Sequence, residues 1–503
     1  MKIAGLDIGT TGCKLTVFDR QGDYLDAAYR DYPAARGKIV HTIDAAGILK
    51  AVFEVIRKMA EKYPDISGIG VTSFGETFIL TDERGAPLHD AMLYTDPRGA
   101  EECRSLTEKL GSMHIALITG LRPHAMYSIP KMMWMKRNQP EIYKKAVHAF
   151  QMQDFIVYHL TGKAQIDYSL ASRSMGFDIN SMQWSREIFG AAGLDMNLMP
   201  NPVPSGTAAG GLLPEIADET GLSKETVVVS VSHDQVAAAV GAGIFDSDTA
   251  LDGAGTVECI APLYDSIPNI AEMYEGYYSV VPYAVLEAVP QMYTSYAFSY
   301  TGGALIQWCI DTLAKKEKEL AKAQGISVYS LLENSEDAPT GLLVLPHFAG
   351  AATPYMDTGS KGAVLGLTTA TTIQEIYRAC MEGVVYEMRL NLDRLPSGGK
   401  AVKMLHATGG GAKSSIWLQM KADILNIPVT ALETADAGTV GSAMLTAVAV
   451  GCFENLEAAA GKMVKKKRVY TPREDMHRRY SEIYKRYCRM YQAVRPLMGG
   501  ESL

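Results

Sequence analysis

The sequence predicts an α/β fold of two similar domains, each a mixed sheet flanked by helices, with the active site in the cleft between them. Three observations lead there. The chain opens in a strand, helix, strand order, and a pattern of the same kind begins again past residue 249. Its 503 residues, 47% of them apolar, can bury more than one core.

Residues Lys2 to Asp7 read as a buried strand, Gly9 to Gly12 as a tight loop and Lys14 to Phe18 as a second strand. A turn at Arg20 to Asp23 leads to a third strand near Tyr24 to Tyr32, completing an antiparallel meander. From Ala46 to Tyr63, Ile48, Val52, Val55, Ile56 and Met59 recur at helical spacing behind Asp44, a candidate N-cap. Ile66 to Thr72 is the next strand. Past the middle, Thr249 to Leu251 is strand-like, Asp252 to Thr256 is a Gly-rich loop and Val257 to Pro262 is strand-like again. This reads as a divergent internal repeat. The boundary falls near Gly241 to Asp248, where turn-forming residues follow the Ala-rich helical run Gln235 to Val240, dividing the chain into residues 1–244 and 245–503. Two such units facing each other make a cleft, a common place for a ligand.

The net charge of -8 draws the chain to neither nucleic acid nor an anionic membrane. Seven scattered cysteines without a CxxC pair read as reduced thiols. The apolar stretch at the N-terminus is cut by Asp7 and is too short for a secretory signal, and no run of residues is long and apolar enough to span a membrane. A cytoplasmic protein is expected.

The segment Asp7-Ile8-Gly9-Thr10-Thr11-Gly12-Cys13-Lys14 joins two strands through small residues, so backbone N–H groups and hydroxyls can approach an anion closely. It reads as a phosphate clamp or as an ordinary hairpin. Asp252-Gly253-Ala254-Gly255-Thr256 has the same character and would face it across the cleft. A third loop, Thr408 to Ser415, precedes the helical run Ile416 to Leu425, whose N-terminus could favour a nucleotide. It is not a Walker A loop, since Ala412 stands before Lys413, and no complete GxGxxG follows a strand. In Ser232-His233-Asp234-Gln235, behind the strand-like Val227 to Val231, Asp234 is either a general base, with Gln235 orienting the attacking hydroxyl, or a helix cap. His233 reads as a packing residue.

Taken in order, these stretches resemble the FGGY family of carbohydrate kinases, which includes glycerol, xylulose, ribulose, rhamnulose and gluconate kinases. Two longer patterns sharpen the likeness. Met126 to Asn138 is similar to one family signature, with Ser128, Lys131 and Trp134 in the expected places, and Gly362 to Leu367, continuing to Glu382, resembles the other, with Cys380 a departure. The resemblance implies two ribonuclease-H-like domains of the actin and hexokinase type, ATP and Mg²⁺ as cofactors, a small-molecule sugar as substrate and a homodimer. It implies Asp234 as general base, Asp7 and Asp234 near Mg²⁺, and Thr10, Thr11, Lys14, Gly255 and Thr256 on the phosphates. Gly302, Gly410 and Gly411 would border the nucleotide, and Gly75, Glu76, Asp234 and Gln235 would contact the sugar.

The substrate loop Ser73-Phe74-Gly75-Glu76-Thr77 departs from relatives: glycerol kinases carry an Arg-Glu pair there and xylulose kinases a Met-His pair. Glu76 either accepts hydrogen bonds from sugar hydroxyls or pairs with Arg98. The segment Gly37 to Asp44 departs as well, and Glu258, beside the second phosphate loop, is expected to point away from phosphate. The expected activity is ATP-dependent phosphorylation of a ketopentose such as xylulose or ribulose. The alternatives are another polyol, ketose or aldonate, or an ATP-driven conformational switch of the actin and heat-shock-chaperone fold.

Overall fold

The computed structural model of the chain describes residues 1–37, 40–284, 291–333, 337–396, 398, 401–433 and 436–499. β1 (Lys2–Ile8), β2 (Gly12–Phe18) and β3 (Tyr24–Asp31) form the antiparallel meander. α1 (Ala45–Ala60) follows, capped by the Asp44 carboxylate, which accepts from Ala46 N–H at 3.0 Å. Such a cap stabilises a helix by about 1 kcal/mol. Ile48, Val52, Val55, Ile56 and Met59 are all buried against the sheet, each contributing about 1.5–3 kcal/mol. β4 (Ile66–Ser73) lies parallel to β1, β5 (Thr207–Gly211) forms an antiparallel edge, and β6 (Val227–His233) lies parallel to β4. The order across the sheet is β5-β6-β4-β1-β2-β3. The long connection from β4 to β5 carries a helical insertion with its own core around Phe78, Leu106 and Met132.

α2 (Asp234–Gly241) leads into the second sheet, built from β7 (Thr249–Ala254), β8 (Glu258–Ala261), β9 (Ala297–Ser299), β10 (Met404–Thr408), β11 (Val429–Leu432) and β12 (Lys466–Tyr470). Its order is β12-β11-β10-β7-β8-β9, with the parallel and antiparallel pairings of the first sheet repeated strand for strand. α3 (Ile373–Arg394) occupies the connection that α1 occupies in the first unit, and α5 (Ala437–Ala449) follows β11 as α2 follows β6. Between β10 and β11 lies α4 (Ser415–Leu425). The units differ at the edge: β5 precedes β6 in the chain, whereas β12 comes after β11 and α5.

The equivalent helices α2 and α5 cross between the sheets, in a core shared by Ile3, Val229, Val240, Leu251 and Met444. Their closest approach is at Gly241 and Gly441: a Cβ on the first would fall 1.9 Å from Ala437 O, and on the second 1.8 Å from Ala237 O. α5 also rests on the first sheet, where a Cβ at Gly5 would lie 2.2 Å from Thr439 O. A division at residue 244 therefore separates the strands of the two sheets, while α5 packs on both.

After β12 the chain continues as α6 (Glu474–Tyr487), followed by a helical turn at Met490–Val494 and a tighter one at Arg495–Leu497. Tyr480, Ile483 and Tyr487 bury its inner face on the second unit. Of the segment Gly37 to Asp44, Lys38 and Ile39 lie outside the described residues. Among the described residues no helix is long and apolar enough to cross a membrane.

Candidate active site

Parallel strands present their carboxyl ends on one edge of a sheet, where ligands bind in open α/β folds. β1, β4 and β6 therefore bring Asp7, Gly75-Glu76 and His233-Asp234 to a single edge of the first sheet. In the second, β7, β10 and β11 bring forward Gly255-Thr256, Gly409 to Gly411 and Asp436.

Asp7, Lys14 and Asp436 stand close together, and Asp234 neighbours Asp7. The Lys14 ammonium pairs with the Asp436 carboxylate, which caps α5. Burial and the neighbouring Asp436 push the Asp7 carboxyl up to about 7, against the pull of Lys14. Asp234 is raised to about 8 by burial, then by Asp7 and Glu76. Asp234 is the first residue of α2, one past the cap position, which His233 occupies. His233 Nε2 stands 3.2 Å from Asp234 Oδ1 in a contact too poorly aligned to be a hydrogen bond, so that this oxygen has no hydrogen-bond partner among the described residues. Burial holds the imidazole down to about 4, so it is neutral, and the Tyr296 hydroxyl approaches its Nδ1 at 3.4 Å. The histidine read as packing thus touches the proposed base.

Glu76 does not pair with Arg98, one of the two roles expected for it. Its carboxylate accepts from Arg173 Nε at 2.6 Å and also contacts Nη2. Arg98 is bidentate to Asp96 instead, at 2.8 and 2.7 Å, and lies over Trp134. The Arg98 pairing is therefore corrected: the nearer guanidinium is Arg173, directly after the helix Tyr168–Ser172. Burial raises the Glu76 carboxyl, but Arg173 and then His233 outweigh it and hold it below the ordinary carboxylate value. Glu76 has φ +62°, a left-handed conformation that costs a non-glycine residue about 1–3 kcal/mol. A side chain at Gly75 would press on His233 Cδ2 at 3.0 Å and Arg173 Cγ at 3.2 Å. Gln235, next to the base, is half-buried.

On the opposite wall a cavity of about 1090 Å³ opens over the second unit. Gly255, Thr256, Gly303, Gly410, Gly411 and Lys413 line one part of it. Gly302 is not in the lining; its N–H donates to Thr256 O at 2.9 Å and Gly303 N–H to Gly255 O at 2.9 Å, which ties both to the Gly255-Thr256 loop. A Cβ at Gly410 would meet nothing within 4 Å, so this residue faces open space. Elsewhere the cavity wall is apolar and aromatic, with Ile306, Trp308, Tyr329, Tyr377 and Trp417, and it includes one carboxylate, Glu333. Ser414 donates to Glu333 at 3.2 Å and Tyr377 bonds it as well, while burial raises its pKa. On the first wall, Gly9 N–H closes the Gly9 to Gly12 turn on Gly12 O at 3.0 Å; Thr10 is half-buried and Thr11 exposed.

Glu258 is buried and bound to Lys421 of α4, which also holds Asp252 at 2.9 and 2.7 Å. This cluster, together with Arg173, Glu333 and Asp436, went unmarked in the sequence reading, because partners such as Glu76 and Arg173 stand 97 positions apart. A lone Arg in the small-residue run Ser169 to Ser174 was the one available signal.

The N-terminal domain of the FGGY family of carbohydrate kinases matches residues 2–241, and the C-terminal domain of that family matches residues 273–450. The chain is 28% identical to a xylulose kinase of Bacillus subtilis over 98% of its own length and 97% of the relative's. It is also 28% identical to a glycerol kinase of Halorhodospira halophila, over 93% and 92%. The crystal structure of a ligand-bound xylulose kinase from Lactobacillus acidophilus superposes with a TM-score of 0.88 at 23% identity, covering 98% of each chain, and shows a shared fold.

Proposed function

The chain belongs to the FGGY family of carbohydrate kinases, a phosphotransferase with an alcohol acceptor and ATP as donor, and on that footing we propose that it phosphorylates a ketopentose such as xylulose or ribulose. The observation that carries the reading is Asp234: a carboxylate beside a neutral histidine, at the carboxyl edge of the first sheet's parallel strands, with one oxygen free to receive a proton. The sugar hydroxyl gives its proton to Asp234 as it attacks the γ-phosphorus, with Gln235 orienting it. Gly75 keeps the floor of the sugar site clear, and Glu76 fixes Arg173 above it.

Thr10, Thr11, Gly255, Thr256, Gly410 and Gly411 approach the phosphates through backbone N–H groups and hydroxyls, with Gly302 supporting the loop. Lys14 serves the phosphates once Asp436 yields it. The closeness of Asp7 to both Asp436 and Asp234 fits a divalent cation: Asp436 raises the Asp7 carboxyl and Asp7 raises that of Asp234, and a cation would relieve this. Asp7 and Asp234 would hold Mg²⁺ through water, and the ion supplies neutralisation of the phosphate charge.

ADP release from MgATP, measured across D- and L-ketopentoses, ketohexoses, polyols and aldonates, tests the reading. A strong response to one ketopentose is expected. A response confined to glycerol or to an aldonate would replace the substrate while keeping the kinase.

A further inference from the structure

The Glu76–Arg173 pair is only partly satisfied. Arg173 is 7% exposed, with Tyr127 and Tyr296 rings 5.4 and 5.7 Å from its guanidinium carbon. Nε and Nη2 are spent on Glu76, and Nη1 has no well-formed hydrogen bond among the described residues, the neighbouring Tyr127 hydroxyl making only a weak contact with the guanidinium. A buried donor left unpaired is rare in a native protein and marks a place where water or a ligand supplies the acceptor. Arg173 shares this corner with His233 and Asp234, and the strained Glu76 backbone is of the kind kept at ligand sites.

The charge around it narrows the acceptor. Glu76 already neutralises Arg173, Lys131 is spent on Met126 O, and Asp7 and Asp234 stand close by. An anionic group would add to a site already rich in carboxylates. A carbonyl oxygen is neutral and accepts without bringing a proton, which matches a guanidinium that can only donate. A hydroxyl at the same carbon also accepts from Nη1, but it must place a proton of its own as well, which the carbonyl does not.

We propose that Arg173, aimed by Glu76, is a specificity-determining residue of the sugar site, donating from Nη1 to the carbonyl oxygen of an open-chain ketose. The inference rests on the ketose reading given above. Glu76 then acts as a positioning residue for Arg173.

The test compares a ketopentose with the alditol that differs from it only by reduction of the carbonyl. In the wild-type chain the ketose is expected to bind at least about tenfold more tightly than the alditol. Arg173→Lys and Arg173→Met are expected to lower kcat/KM for the ketose about a hundredfold, mainly through KM, and for the alditol by less than about threefold. Glu76→Gln, which keeps the shape of the side chain, is expected to shrink the ketose-to-alditol ratio in the same direction. ADP titration reports folding, since Arg173 does not line the nucleotide cavity. Equal wild-type affinity for the two acceptors overturns the inference. So does an equal loss on both in variants that still bind ADP, which would mark a structural arginine while leaving the ketose kinase in place. A wild-type enzyme that phosphorylates no ketose overturns the substrate reading and the inference together.

Discussion

At the scale of single residues the site is a problem in crowded charge. As the proposed base, Asp234 must be ionised to take a proton, yet burial, Asp7 and Glu76 push its carboxyl up to about 8. Activity through Asp234 therefore rises with pH as the carboxyl loses its proton and falls below that point. Glu76→Gln removes one of the charges that raise Asp234 and leaves the Arg173 cation unneutralised, and both changes favour the ionised form. The acid limb of the pH profile of kcat/KM is expected to move to lower pH by roughly one unit; an unmoved or raised limb would contradict this electrostatic account. Asp7 and Asp234 were legible in the sequence because each follows an apolar strand and precedes small or helical residues. Arg173 was not, since its meaning lies in a contact with Glu76 that only the fold creates, and Glu258 was readable as facing away from phosphate but not as bound to Lys421. Lys421→Met would leave Asp252 and Glu258 buried against each other, and a loss of about 3–5 kcal/mol in urea unfolding is expected.

Elements position these residues through two devices. Parallel strands deliver their carboxyl ends to one edge, and glycines let α2 and α5 approach until backbone nearly touches backbone. Both leave some trace in sequence: the apolar runs ending in Asp7, Ser73 and Asp234 mark the strand ends, and the run Ala237 to Gly241 marks a helix with a small-residue face. What α5 would rest on was not readable, because it packs on strands far earlier in the chain, as in the Ser442 hydroxyl bond to Gly70 O, 372 positions away. Gly241→Ala and Gly441→Ala are each expected to cost about 1–3 kcal/mol or more in urea unfolding, since the added methyl meets a carbonyl oxygen within 2 Å. Gly410→Ala, at an open position, is expected to change stability by less than about 0.5 kcal/mol. That methyl would enter the nucleotide cavity, so ADP affinity should fall. Unchanged ADP affinity in Gly410→Ala would place the nucleotide elsewhere in the cavity.

At the scale of the whole molecule the chain is one sheet design used twice, and the proposed reading assigns the sugar to the edge of the first copy and the nucleotide to the edge of the second. The repeat was visible in the sequence as two Gly loops between strands; the strand-for-strand agreement of the sheets was not, because β8 and β9 are short and separated by residues with no counterpart in the first copy. The substrate loop remained ambiguous for a related reason: its role depends on Arg173 and His233, which arrive from other strands and helices. Transfer to a sugar rather than to water requires the two units to close over their ligands. Small-angle scattering is expected to show a smaller radius of gyration with ketopentose and a non-hydrolysable ATP analogue together than with neither; identical radii would argue against closure. The most direct test of the central claim is ADP release from MgATP with a ketopentose in the wild type and in Asp234→Asn, with ADP affinity measured in parallel. The account predicts sugar-dependent release that falls about a thousandfold in the variant while ADP affinity holds; full activity in Asp234→Asn, or release that needs no sugar, would contradict it.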